Sequence, residues 1–93
     1  MFDAILRQMR DMVRMSRYVM TLLAVDEMEA DGLTVFDVEH CVLTGEIVGR
    51  QRDRRTTEWK YLVSGRTLDG EKAVVVAKMG PTGKLVIITV YSL

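Results

Sequence analysis

Cysteine, histidine and proline are nearly missing from this chain: each occurs once in 93 residues. A lone Cys41 excludes an internal disulfide, and Cys41 with a lone His40 does not make a metal-ligand set. No metal and no other cofactor is expected. Such cysteine usage points to a reducing compartment, the cytoplasm. No apolar run approaches the roughly 20 residues that span a bilayer, so no membrane segment is expected. Asp3 and four arginines (Arg7, Arg10, Arg14, Arg17) interrupt the apolar residues before Tyr18, which does not read as a secretory leader. Dinucleotide, P-loop and nucleophile-elbow signatures are absent. Gly80-Pro81-Thr82-Gly83-Lys84 has the wrong spacing for a phosphate loop and precedes a strand, so it reads as a turn. Ser16, Ser64 and Ser92 have no histidine at suggestive spacing. His40 itself reads as a surface or boundary residue.

Charge of one sign is missing from a third of the chain. Tyr18 to Gly49 holds seven acids (Asp26, Glu27, Glu29, Asp31, Asp37, Glu39, Glu46) and no Lys or Arg. All 13 basic residues lie outside that stretch, while the formal net charge is zero. The expectation is solvated helix faces or, more sharply, an acidic and a basic side suited to head-to-tail association or to an anionic ligand.

What is present is globular: 48% hydrophobic and 28% charged residues, in a length that suits one domain, 1–93. Asp3 is a suitable N-cap for a first helix. Phe2, Ile5, Leu6, Met9, Met12 and Val13 recur at helical spacing, with Arg7, Arg10, Arg14 and Arg17 beside them. That arginine ridge is either a phosphate contact or the wet side of an amphipathic helix, with Arg7 placed to pair with Asp11. Residues 17–20 read either as a short strand or as more helix. A helix through Leu23, Ala24, Glu27 and Met28 should end at Asp31-Gly32, where glycine accepts the left-handed conformation. Thr34 and Asp37 are spaced as a capping box for a third helix, with Val35, Val38, Cys41 and Val42 inward.

The period then changes to that of strands. Glu46–Gln51, Trp59–Thr67, Lys72–Met79 and Leu85–Tyr91 are the expected strands. Asp69-Gly70 and Gly80–Gly83 are the expected turns, and residues 50–55 are too charged to be buried. The expected fold is α+β. Two or three N-terminal helices cover one face of a three- to four-stranded antiparallel meander, because neither layer hides its apolar side alone.

Two groupings carry chemistry. Arg50, Arg52, Arg54, Arg55, Lys60, Arg66 and Lys78 are interleaved with Trp59, Tyr61 and Tyr91, a mixture that suits single-stranded RNA through phosphate contact and base stacking. The other reading is a charged hairpin with ordinary sheet aromatics, and the chain lacks the basic excess usual in such binders. Thr89 and Tyr91 alternate onto one face, where they would position a phosphate or pack across strands.

An ordered string runs from Tyr18 to Tyr91. It comprises Thr21-x-x-Ala24, Glu27-Met28, Asp31-Gly32-Leu33-Thr34, Asp37-Val38-Glu39, Thr44-Gly45-Glu46-Ile47, Lys60-Tyr61, Gly65-Arg66, Asp69-Gly70 and Ile87-Ile88-Thr89-Val90-Tyr91. In this it resembles a family of short prokaryotic proteins described only as a domain of unknown function. Residues 1–16 are then a helical extension and 17–93 the family-like core. The resemblance implies a fold related to the RelE/ParE-like toxins, some of which are messenger-RNA endonucleases. Fold kinship does not transmit activity. One position departs: the family pattern Thr-x-His-Ala has Leu23 here. A histidine one turn from Glu27 would be a general acid or base; Leu23 cannot move a proton. If that histidine is catalytic, this chain is inactive or uses other groups. If it is structural, Leu23 is a packing substitution.

Two functions follow as expectations. The first is a non-catalytic or degenerate toxin-related protein that acts by association, as a homodimer or with an antitoxin-like partner, through the apolar stripe of the first helix and the terminal strand and helped by methionine-rich contacts. The second is a metal-independent endoribonuclease of the interferase type. In it Arg66, Lys60 and Lys78 stabilise phosphorane charge, and Tyr91 or Glu27 handles protons.

Overall fold

The computed structural model describes Met1–Leu93. Helix α1 spans Asp3–Arg14 and is followed by β1 (Tyr18–Met20), α2 (Leu22–Asp31) and α3 (Val35–Thr44). Strands β2 (Glu46–Arg52), β3 (Trp59–Arg66), β4 (Lys72–Met79) and β5 (Leu85–Ser92) complete the chain. They form one five-stranded mixed sheet in the order β1-β5-β4-β3-β2. The fold is α+β, three helices on a sheet, with one strand more than expected.

The extra strand is β1, which pairs parallel to β5 with Tyr18 opposite Leu85 and Met20 opposite Ile87. Ser16 settles the choice between strand and helix at 17–20. It adopts φ 56°, a left-handed conformation that an α-helix cannot propagate through. The amides of Ser16 and Arg17 close back on the carbonyls of Val13 and Met12, ending α1. The Arg17 carbonyl then accepts from the Leu85 amide, and the Thr21 amide donates to Ile87.

The remaining strands follow the expected meander. β2–β3, β3–β4 and β4–β5 are antiparallel. Gly70 and Gly83 take φ 85° and 77° in the connecting turns, conformations open to glycine without a Cβ penalty. Two strand pairs carry an irregularity. Val48 is an extra residue between the Ile47–Val63 and Gly49–Leu62 pairs, and Ile88 is extra between Ala77–Ile87 and Val76–Thr89.

All three helices lie on one side. Met9, Val13, Ala24, Met28, Val38, Cys41 and Val42 pack with Tyr61, Val63, Ala73, Val75, Ala77, Leu85, Ile87 and Val90 in one apolar cluster. The expected capping box is formed: Thr34 Oγ1 accepts from the Asp37 amide, and Asp37 Oδ2 accepts from the Thr34 amide. Gly32 ends α2 at φ 69°. Two local expectations are corrected. Asp3 lies inside the first turn of α1; Phe2 occupies the cap position and makes no side-chain cap bond. Asp11 pairs with Arg14 at 3.3 Å rather than with Arg7, because the i+3 neighbour reaches it.

Arg10 leaves the arginine ridge to join the fold. Its guanidinium donates to the carbonyls of Val42 (3.2 Å) and Gly45 (2.7 Å). These are unpaired acceptors at the C-terminus of α3, where a cation is also favoured by the helix dipole. No helix is long and apolar enough to cross a membrane.

Candidate functional site

Helix α2 sits at the edge of the sheet and finishes β5. Strand β1 stops opposite Ile87, so β5 has no strand neighbour on that side beyond this point. Side chains of α2 supply the missing partners. Thr21, the N-cap of α2, accepts from the Ala24 amide at 3.1 Å and donates to the Ile88 carbonyl at 2.7 Å. Glu27 Oε1 accepts from the Val90 amide and Asp31 Oδ2 from the Ser92 amide, each at 3.2 Å. Glu27 is thus engaged as a cap on strand backbone. Leu23, one turn before it, is 56% exposed and lies on the surface.

Alternation along β3, β4 and β5 sends a different set of residues to the helix-free side. In register, Ser64, Val74 and Tyr91 make one row, and Leu62, Val76 and Thr89 make the next. Continuing that register puts Lys60 beside Lys78, with Val86 opposite Lys78 and Val19 opposite Val86. At the other end Arg66 faces Lys72. This face has an apolar and hydroxylic centre between two cationic ends. The Lys60–Lys78 end is partly neutralised: Glu58 lies 3.5 Å from Lys78. The Asp53 carboxyl is held below its ordinary value, chiefly by the Arg55 amide and with help from Lys60 and Lys78.

Arg50, Arg52, Trp59 and Tyr61 face the helical side, while Arg54 and Arg55 lie in the exposed turn between β2 and β3. The Arg50 and Arg52 guanidinium carbons lie 3.9 and 4.3 Å from the centre of the Trp59 ring. Tyr61 is buried and meets the Phe2 ring edge-on at 6.0 Å. These contacts give Trp59 and Tyr61 partners within the chain. Apart from the two turn arginines, the singled-out residues fall into three places. Lys60, Arg66, Lys78, Thr89 and Tyr91 share the helix-free face; Arg50, Arg52, Trp59 and Tyr61 form a cation–aromatic rim on the helical side; Glu27 and Leu23 belong to α2 at the sheet edge.

An open cleft of about 530 Å³ lies where α3 ends against the sheet, lined by His40, Thr44, Glu46, Ser64, Arg66 and Lys72 among others. Of these, sequence reasoning singled out Arg66 alone. Period-two alternation from Arg66 finds Ser64, but His40 and Lys72 come from other elements and join it only by packing. His40 Nδ1 stands 2.9 Å from the Arg66 carbonyl. A carbonyl only accepts, so Nδ1 carries the hydrogen and Nε2 is the bare nitrogen of the neutral ring. Arg66 donates to the Gly70 carbonyl at 2.9 Å. No group of three or more His, Cys, Asp or Glu side chains is placed to hold a metal ion.

An α+β sheet with one helix-free face defines the architecture, and the family follows from the sequence that builds it. The family model described as a domain of unknown function, DUF4258, matches residues 21–92, and the chain belongs to that family. The matched span begins at the Thr21 cap and takes in α2, α3 and the four-stranded meander. Helix α1 and β1 precede it, yet Met9 and Val13 are buried in the common core. No curated protein and no solved structure matches the chain.

Proposed function

We propose that this chain is a non-catalytic member of its family that works by self-association, head to tail. The observation that carries this reading is a pair of complementary surfaces. Leu22, Leu23, Asp26, Glu29 and Ala30 make the outer strip of α2; all are exposed, Leu22 by 84%. The strip is apolar at its start and acidic beyond. The helix-free face presents half-buried Leu62 and Thr89 beside half-buried Lys60 and Lys78, apolar with cations at its end; Val76, in the same row, is already buried. A second copy laying its α2 strip on that face would bury both apolar parts and bring acids to lysines. Two helix-free faces placed together would oppose cation to cation, so an isologous contact through this face is disfavoured. Helix-in-groove and helix-on-sheet contacts of this kind use the i, i+4, i+7 residues of one helical face.

The distribution of chemistry supports the non-catalytic part. The proton-handling candidate, Glu27, is bonded to strand backbone at the sheet edge, and its neighbour is Leu23. The cations and Tyr91 lie on the opposite face. Sedimentation of the full chain over a range of concentration is the test. Mass should rise with concentration, fall as salt is added, and return to monomer in the Leu22→Lys, Leu23→Lys double variant. A strict monomer at the highest attainable concentration overturns the reading. A heterologous contact also predicts rings or open chains rather than a closed dimer.

A second reading has its own support. Lys60, Lys78, Arg66, Thr89 and Tyr91 share the helix-free sheet face, and the family resemblance implies kinship of fold with the RelE/ParE-like toxins. On this reading the 2′-hydroxyl of RNA gives its proton to water and attacks the adjacent phosphate. The cations stabilise the phosphorane, and the 5′-oxygen leaves with a proton from Tyr91. Incubation with ribosomes and messenger RNA decides it: cleavage that Arg66→Gln abolishes would favour this reading, and intact RNA ends it.

A further inference from the structure

The cleft at the end of α3 is a separate feature, and it is not needed for self-association. Its floor is bare backbone. A Cβ added at Gly45 would lie 2.5 Å from the Ser64 carbonyl oxygen, and one at Gly65 would strike the Cys41 carbonyl. Its wall includes Val48, the extra residue of the β2 irregularity, and a bulge of this kind re-aims a side chain. Its cations are Arg66 and Lys72, directly opposite each other in the β3–β4 register. Like charges opposite one another destabilise a sheet. Neither has an acidic partner: the ion pairs in the molecule are Arg14–Asp11 and Lys78–Glu58. The bond from Arg66 to Gly70 holds the guanidinium in place and leaves its other N–H groups free. The Ser64 hydroxyl lies in the row between Glu46 and Val74. Glu46 adds a carboxylate that accepts hydrogen bonds but repels a bare anion.

We propose that this cleft binds a hydroxylated phosphomonoester. Arg66 and Lys72 take the phosphate, with Ser64 as a neutral donor. Glu46 accepts from hydroxyl groups on the alcohol part, and this explains an acid in a cationic cleft. His40 is a positioning residue: its Nδ1–H holds the Arg66 carbonyl and so the strand end that carries the guanidinium. A volume of about 530 Å³ accommodates a sugar phosphate or a nucleoside monophosphate.

The test is titration of the isotope-labelled full chain with ribose 5-phosphate, adenosine monophosphate, ribose and inorganic phosphate, followed by amide shifts. Saturable shifts confined to residues 40, 44–48, 64–66 and 72 are expected with the two phosphomonoesters, with inorganic phosphate weaker and ribose silent. Arg66→Gln with Lys72→Gln should weaken binding by roughly tenfold or more. Both side chains are exposed, so the thermal midpoint should hold. Glu46→Gln should weaken the phosphomonoesters but not inorganic phosphate. His40→Ala should weaken binding while His40→Gln, which keeps a donor, restores part of it. Shifts outside the cleft, equal binding by the double cation variant, or ribose binding as well as its phosphate would each overturn the proposal. So would inorganic phosphate matching the esters. The Leu22→Lys, Leu23→Lys variant should keep full ligand binding, which separates this result from the fate of the association reading.

Discussion

At the scale of single residues, the contact between α3 and β3 depends on absent atoms. Gly65 has no side chain because the last turn of α3 lies against it, and an added Cβ would meet the Cys41 carbonyl and lie 3.0 Å from its sulfur. Both obstacles belong to a buried helix turn that cannot yield cheaply. Gly65→Ala should destabilise the fold by more than about 2 kcal/mol in denaturant unfolding, through overpacking. Gly49→Ala is the control: its Cβ would meet nothing within 4 Å, and the loss should be small. The Cys41 thiol is pushed up to about 11 by burial, only partly opposed by the Gly65 backbone bond. Thiol reagents at neutral pH should leave native protein unmodified and label it on unfolding, as mass spectrometry would show. Asp37 accepts from Thr34 and Leu68, and these bonds hold its carboxyl below the usual value of 3.8. A depressed carboxyl stabilises the fold fully above the unfolded value, and the effect is lost as pH falls through the lowered folded value. Thermal melts should show an acid loss that Asp37→Asn largely abolishes.

At the scale of elements, α2 does what a further strand would otherwise do for β5. Glu27→Ala leaves the Val90 amide without its partner and should cost about 1–2 kcal/mol, with faster hydrogen exchange at Val90. Glu27→Gln keeps an acceptor oxygen and should retain most of that stability. The β1 end is tied to α3 by Tyr18, whose hydroxyl donates to Glu39 at 2.6 Å. Burial and then that carboxylate raise the phenol to about 12 from 10.0. A raised phenol contributes stability that is whole below the unfolded value and lost as pH climbs between the two. Native protein should therefore weaken across that alkaline range, and Tyr18→Phe should show a smaller loss there.

For the molecule as a whole, the proposed association joins an acidic helix strip to a sheet face with cations at its ends. The segment without Lys or Arg forms β1, α2 and α3, while the sheet ends carry lysines and arginines. Self-association between these surfaces should weaken markedly between low and physiological salt, because exposed charges are screened over about a Debye length. Much of this molecule was legible beforehand for a local reason. The Thr34–Asp37 box, the left-handed Gly32 and the Asp69-Gly70 turn are each decided by residues within a few positions. β1 was legible only as one of two alternatives, since three residues make too little pattern and their partner lies at the far end of the chain. The cleft was not legible: His40, Ser64 and Lys72 come from three elements.

The amino-acid sequence alone determined where the three helices and the four meander strands form, because capping, turn chemistry and hydrophobic period act between near neighbours. Alternation also determined that Trp59 and Tyr61 face away from Lys60, and that Thr89 and Tyr91 face together. Only the tertiary structure decided which side the helices cover. That choice buried Tyr61, put Lys60, Lys78 and Tyr91 together on the helix-free face, and assigned Glu27 to the open edge of β5. Alternation gives relative sides and carries no absolute one; the absolute side is set by the packing of distant elements.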